Sequence, residues 1–106
     1  MKLLTDDLLQ TATQRLVAEF QPEQIWLFDS HAWGETHEDS DVDLLVVVSE
    51  SDETPIRRSQ RAHRCLRELQ MPKDVLMETK PEVDRVKEHP SSLENTIFRQ
   101  GRRLYG

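Results

Sequence analysis

Cysteine, glycine and long apolar runs are scarce in this sequence, and the scarcity of cysteine and of apolar runs excludes several classes of protein. Its 106 residues include one cysteine and three glycines. The lone Cys65 excludes an intrachain disulfide framework, and the N-terminal segment lacks the apolar core of a secretory signal. The longest apolar run, residues 42–48, is interrupted by Asp43 and falls short of the ~20 residues that span a bilayer. We therefore expect a cytoplasmic protein without membrane insertion.

Positive charge is also in short supply. Fourteen lysines and arginines stand against 20 acidic residues, for a net charge of −6. This balance argues against broad binding to nucleic acid, because that affinity depends on basic side chains that neutralise phosphates. Five arginines nevertheless fall in one predicted helix, where a solvated face is the favoured interpretation and a binding patch the alternative. They are Arg57, Arg58, Arg61, Arg64 and Arg67.

The chain length and the hydrophobic pattern predict one small domain over residues 1–106. The element order is helix, strand, strand, helix, strand, helix, helix, with a terminal strand at Leu104 and Tyr105. Internal strands are expected at residues 25–28, 42–48 and 74–77. This order predicts an α/β (α+β) layer structure in which helices cover a small mixed sheet.

Local signals set the expected helix ends. Thr54 as N-cap and Pro55 at the first helical position open the second helix. Its expected inward stripe is Ile56, Ser59, His63, Leu66 and Leu69. Capping boxes are expected at residues 79–82 and 91–94, and Gly101 is expected to end the last helix in a left-handed conformation.

Acidic residues stand where two of the predicted strands begin. Asp41 and Asp43 precede an apolar run, and their i, i+2 spacing places both side chains on one face of a strand. Carboxylates there cost desolvation energy unless a cation neutralises them, and a divalent metal is the commonest such partner. Asp74 opens the third strand and can join the same corner if that strand lies beside the second. Ser30, after the first strand, offers a hydroxyl and nearby N–H groups to a phosphate.

Each of these residues also has a structural interpretation. Asp41 can cap a helix or a turn, Asp43 can be an edge-strand charge, and Asp74 can mark the exposed start of a strand. Ser30 can be an N-cap, which is compatible with phosphate contact.

Three acids around two metal ions ~3.5–4 Å apart is the arrangement required for in-line phosphoryl or nucleotidyl transfer.

This set of residues resembles the signature of the minimal nucleotidyltransferases, or MNT proteins, of the DNA polymerase β-like superfamily. That signature is Gly-Ser, ten residues, Asp-x-Asp, and a third aspartate about thirty residues later. Ser30, Asp41, Asp43 and Asp74 match it in order and spacing, within a resemblance over roughly residues 8–79. The resemblance implies a nucleotidyltransferase-like fold and two Mg²⁺ ions held by the three aspartates, with Ser30 contacting the phosphates of the nucleotide.

The resemblance also implies an activity and a partner. The expected reaction moves a nucleoside monophosphate from a nucleoside triphosphate, with ATP as first candidate, to a hydroxyl acceptor, and Asp74 helps to deprotonate that hydroxyl. MNT proteins are similar to antitoxins that pair with HEPN-domain toxins, so a HEPN-type protein partner is expected. Assembly into a homodimer stays open.

Asp29 departs from the signature, because the family has glycine before the serine. An aspartate adds bulk and places negative charge beside the phosphates. Two unit charges ~4 Å apart repel by roughly 4 kcal/mol at an effective dielectric constant near 20. Asp29 can be an extra metal ligand, a natural inactivating change or an introduced substitution. The alternative function is therefore a catalytically impaired binding protein that acts as an antitoxin by complex formation.

Overall fold

The computed structural model describes residues 6–28, 42–69 and 73–106, and the element order is the one predicted. The predicted site residues Asp29, Ser30 and Asp41 lie outside these ranges. No helix within them is long and apolar enough to span a bilayer. The elements are α1 (Asp6–Phe20), β1 (Gln24–Phe28), β2 (Val42–Val48), α2 (Pro55–Cys65), β3 (Lys73–Thr79), α3 (Lys80–Val86), α4 (Leu93–Gln100) and β4 (Arg102–Tyr105).

The four strands form one mixed sheet in the order β3-β2-β1-β4. β1 pairs antiparallel with β2 and with β4, whereas β2 pairs parallel with β3. The parallel pair requires a crossover, and α2 supplies it. The predicted α/β class is confirmed. The third strand lies beside the second, which is the condition under which Asp74 joins the corner of Asp43.

Helices cover both faces of the sheet, and alternation along each strand divides the core between them. On the first face, α1 and α2 pack against Leu44, Val46 and Val48 of β2. On the second face, α3 and α4 contribute Val83 and Ile97, which pack with other buried residues. Those residues are Phe28, Leu45 and Val47. Both core clusters consist of apolar side chains, as a small single-sheet domain requires.

The helix α2 is rotated relative to the prediction. Ile56, expected on the inward stripe, is 71% exposed, whereas Arg58 is only 3% exposed. Arg58, Ala62 and Leu66 form the buried line at i, i+4 and i+8. The prediction of a solvated arginine face is thus wrong for Arg58, because its guanidinium pairs with Glu82 of α3. A buried arginine is tolerated when its donors are matched in this way.

The helix ends follow the sequence signals in part. The capping box at Thr79 and Glu82 is confirmed, with the Thr79 N–H donating to Glu82 Oε1 at 2.8 Å. The N-cap of α4 is Ser92 rather than Ser91, and its hydroxyl accepts from the N–H of Asn95 at 3.0 Å. The same hydroxyl donates to Val86 O at 2.7 Å, which ties the start of α4 to the end of α3.

Gly101 is needed for a different reason from the one predicted. Its φ of −75° is not left-handed, so the expected left-handed cap is wrong. A Cβ at this position would lie 2.6 Å from Ile97 O and 2.9 Å from Leu27 O. Glycine therefore allows the end of α4 to approach β1 closely before the chain enters β4.

Candidate functional site

Two of the predicted site residues occupy matching positions on adjacent strands. Asp43 of β2 and Asp74 of β3 are register partners in the parallel pair. Asp43 stands two residues before Leu45, and Asp74 stands two residues before Leu76; both leucines lie on the second face. Because side chains alternate along a strand, both carboxylates lie on that face too. Neighbouring strands lie about 4.8 Å apart. The structure therefore brings these two carboxylates together, and we call them the acid pair.

The surroundings of the acid pair differ on its two sides. Phe28 of β1 is the register partner of Asp43 on the side away from β3, and it is 8% exposed. Asp43 is half-buried, whereas the side chain of Asp74 is 63% exposed. The pair is thus shielded by an aromatic ring on one side and accessible on the other. Two carboxylates at one strand end provide the oxygen ligands that Mg²⁺ prefers, so these residues fit the ion that the resemblance implies.

His63 is a neighbour of the acid pair that the sequence did not reveal. Its Nε2 lies 3.8 Å from Asp74 Oδ1, which is too long for a hydrogen bond and within range of an ion pair when the imidazole is protonated. The sequence predicts His63 on the inward stripe of α2. The actual rotation of α2 turns it toward the start of β3 instead. Since eleven residues separate the two side chains on different elements, no local pattern signals this contact.

The remaining predicted site residues fall on chain segments outside the described ranges. β1 ends at Phe28, beside Asp43 and directly before the sequence Asp29-Ser30. Asp41 immediately precedes β2. Within residues 6–28, 42–69 and 73–106, no group of three His, Cys, Asp or Glu side chains is arranged to hold a metal ion. The three-aspartate site accordingly stays a prediction that involves Asp41.

A separate group of carboxyls lies at the other end of β3. Glu78 follows Asp74 by four residues, about 13 Å along the strand. Burial, followed by hydrogen bonding to Glu94 of α4, raises the pKa of Glu78 to about 8. Glu82 behaves oppositely, because its hydrogen bonds with Arg58 lower its pKa to about 2. These carboxyls lie where α3 and α4 meet the sheet, and they are distinct from the acid pair.

Comparison with known proteins bears on the family and the fold of this chain. The sequence profile of the family described as polymerase beta, nucleotidyltransferase, matches residues 10–106. A protein of Sulfolobus solfataricus assigned as a nucleotidyltransferase superposes with a TM-score of 0.60 at 25% identity, over 76% of this chain and 72% of that chain. Comparison with curated proteins gives no significant match.

A second solved structure shares the fold. It is a chain from a toxin–antitoxin crystal structure with AMP-PNP, similar at a TM-score of 0.55 and 20% identity. The match covers 92% of this chain and 73% of that chain. At this identity the likeness shows the fold alone. The family profile spans nearly the whole sequence, and the chain therefore belongs to the polymerase β nucleotidyltransferase family.

Proposed function

We propose that this protein is a magnesium-dependent nucleotidyltransferase. It moves a nucleoside monophosphate from a nucleoside triphosphate, with ATP as the first candidate, to a hydroxyl group of an acceptor. The observation that carries this proposal is the register pairing of Asp43 and Asp74 on one face of the sheet, in a chain that the nucleotidyltransferase family profile matches over residues 10–106. Carboxylates directly opposite each other on neighbouring strands supply oxygen ligands from two chain segments, which suits a shared divalent cation.

Each residue of the proposed site has a distinct role. Asp41, Asp43 and Asp74 would hold two magnesium ions, which when bound supply charge neutralisation at the α-phosphate and the leaving pyrophosphate. Asp74 is the more exposed member of the acid pair, so it is the one positioned to accept the proton of an incoming hydroxyl. Ser30 would contact the phosphates through its hydroxyl. No protein nucleophile is required.

A protein acceptor in a toxin–antitoxin pair is the context we propose. One structural neighbour is a chain of a toxin–antitoxin assembly, and the family resemblance points to a HEPN-type toxin as the partner. The open side of the acid pair, toward Asp74, leaves room for an acceptor hydroxyl from another chain. Under this proposal, the protein is an antitoxin that modifies its toxin.

A second candidate function follows from Asp29. This residue stands where the family signature has glycine, beside the expected triphosphate position. Repulsion between its carboxylate and the phosphates would weaken nucleotide binding. The protein would then neutralise its partner by complex formation, using the fold without catalysis.

Calorimetric titration with ATP in the presence and absence of Mg²⁺ tests the proposal. The enzyme function predicts Mg²⁺-dependent ATP binding that Asp43→Asn abolishes. Asp52→Asn is the matched control, because Asp52 is an exposed acid after the opposite end of β2. Binding that appears only in Asp29→Gly favours the second function. Absence of binding in both the natural protein and Asp29→Gly would rule out the enzyme function.

A transfer assay separates the two functions further. With ATP labelled at the α-phosphate and a co-expressed HEPN-type toxin, the enzyme function predicts label on the toxin that is lost in Asp74→Asn. The binding function predicts a stable complex without label.

A further inference from the structure

A histidine from the crossover helix α2 lies against the exposed member of the acid pair, and the proposed reaction gives it no role. The Nε2 atom of His63 is 3.8 Å from Asp74 Oδ1. Within residues 6–28, 42–69 and 73–106, no three His, Cys, Asp or Glu side chains are arranged to hold a metal ion. His63 is therefore not placed as a third ligand beside Asp43 and Asp74, and its contact is with the carboxylate.

Asp74 is the member of the acid pair whose orientation the sheet leaves open. β3 is an outer strand, so Asp74 has a neighbouring strand on one side only, and its side chain is 63% exposed. Asp43, by contrast, is half-buried between Phe28 and Asp74. An exposed carboxylate exchanges among staggered rotamers, and fixing one of them costs conformational entropy. A contact from a neighbouring element is therefore what can select one rotamer of Asp74.

The backbone of His63 is held firmly, so its imidazole can act as a fixed contact. Ala62, which precedes it, and Leu66, three residues later, are both 0% exposed in the first-face core. The Leu66 N–H donates to the carbonyls of Ala62 and His63, both at 3.2 Å. The Cys65 thiol donates to Arg15 O at 3.4 Å, which ties this turn to α1. Only two side-chain torsions of the histidine are left to vary, so it costs less entropy to fix than a lysine or an arginine.

A neutral imidazole can orient a carboxylate and still leave it able to bind a cation. With its proton on Nε2, the ring donates to one carboxylate oxygen and leaves the other oxygen available. The distance of 3.8 Å is about 0.9 Å longer than an ordinary N–H···O hydrogen bond. Contacts of this kind are often long in ligand-free structures and shorten in the complex. Hydrogen bonds to metal ligands orient those ligands, and the loss of one typically lowers metal affinity by roughly 10–100-fold.

We infer that His63 is a positioning residue that holds the Asp74 carboxylate in one orientation, with one oxygen toward the imidazole and the other available to a divalent cation. The inference rests on the proposed function, because that function supplies the cation and the acceptor hydroxyl on which Asp74 acts. His63 touches neither of them and acts through Asp74.

The rotamer of Asp74 in the metal-free protein provides the first test. Three-bond NMR couplings from Asp74 Cγ to its backbone nitrogen and carbonyl carbon report the χ1 populations. At one fixed pH, we expect one dominant rotamer in the natural protein and averaging among rotamers in His63→Leu. His63→Gln keeps a side-chain N–H donor and should retain more of the dominant rotamer than His63→Leu. His89→Leu is the matched control, because His89 is an exposed histidine beyond α3 and its loss should leave the couplings unchanged.

Affinity for Mn²⁺ alone, without nucleotide, provides the second test. Paramagnetic broadening of the Asp74 amide signal during a Mn²⁺ titration gives the Kd of each variant. We expect His63→Leu to raise the Kd at least about tenfold, His63→Gln to raise it by less, and His89→Leu to leave it unchanged. Because the His63 side chain is 43% exposed, these substitutions should leave the fold intact, which the amide signals of α1 and β1 check.

Several outcomes would overturn the inference. These are rotamer averaging already present in the natural protein, unchanged rotamer populations in His63→Leu, and unchanged or tighter Mn²⁺ binding in that variant. Equal losses in His63→Gln and His63→Leu would also overturn it, because the side-chain donor would then have no part. Absence of Mn²⁺ binding in the natural protein is a different result. It would contradict the proposed function, and the rotamer measurement would still decide whether His63 orients Asp74.

Discussion

Arg58 and Glu82 form a two-pronged ion pair between α2 and α3. The guanidinium Nη1 and Nη2 donate to the two carboxylate oxygens at 2.8 Å and 3.1 Å. The same guanidinium donates to Met77 O and Glu53 O, both at 3.2 Å. The Arg58 side chain is 4% exposed and that of Glu82 is 36% exposed. One side chain thus joins α2, β3 and α3, and its donors leave little unmatched polarity in the core.

Removing Arg58 should strongly destabilise the fold. Arg58→Ala leaves carbonyl groups and a carboxylate without their donor, and we expect a loss of about 3–5 kcal/mol in the free energy of unfolding, measured by urea titration. Because that variant can fail to fold, Arg58→Lys provides a second test: it keeps the charge, loses the fork geometry and should lose part of that amount. Lys80→Ala, which removes an exposed ion pair, should leave the urea midpoint nearly unchanged. Equal effects of Arg58→Lys and Lys80→Ala would contradict this account.

Stability should fall as the pH rises between about 4.5 and 8. Burial and the contact with Glu94 raise the pKa of Glu78 from 4.5 to about 8, so the folded protein holds a proton there that the unfolded chain releases. The stabilising contribution is full below pH 4.5 and is lost by pH 8. Screening of the half-exposed carboxyl reduces the expected loss to about 2 kcal/mol. Urea titrations across this range measure it.

The variant Glu78→Gln isolates this effect, because a neutral amide has no proton to lose. Its stability should change much less between pH 5 and pH 8.5 than that of the natural protein. Glu88→Gln, at an exposed position, should keep the natural pH dependence. Glu82 contributes in the opposite sense, because its lowered pKa of about 2 makes stability fall as the pH drops from about 4.5 toward 2.

Replacing Gly101 with alanine should also destabilise the protein. The added Cβ would meet Ile97 O at 2.6 Å and Leu27 O at 2.9 Å, and both contacts involve backbone. We expect a cost of about 1–3 kcal/mol, typical of overpacking, in thermal or urea unfolding. Gln100→Ala is the control, because that side chain is exposed at the end of the same helix. A Gly101→Ala protein as stable as this control would show that α4 does not approach β1 as described.

Much of the fold could be predicted from local patterns. The apolar run of β2 and the Thr-x-x-Glu box of α3 each report on their own few residues, and both were predicted correctly. The predicted rotation of α2 was wrong, because Arg58 is buried by pairing with Glu82, which lies 24 residues later in the chain. Hydrophobic periodicity favours Ile56 over an arginine at a buried position of α2, and it contains no information about a pairing between residues so far apart in the chain.

The candidate site was predictable to a similar extent. Alternation sets the face of Asp43 and of Asp74 within their own strands, but their meeting depends on β3 lying beside β2, which the sequence left as a condition and the structure supplies. The approach of His63 to Asp74 and the paired carboxyls of Glu78 and Glu94 both depend on how helices pack on the sheet. Tertiary packing of that kind leaves no pattern in the sequence.

Binding of Mn²⁺ in place of Mg²⁺, followed by paramagnetic broadening of amide NMR signals, tests the central claim most directly. The claim is that Asp43 and Asp74 share a divalent cation. We expect the amides of Asp43 and Asp74 to broaden first, excess Mg²⁺ to restore them, and Asp43→Asn to abolish the effect. Broadening that begins at Glu78 and Glu94, or in the acidic segment 50–53, while Asp43 and Asp74 stay sharp would contradict it.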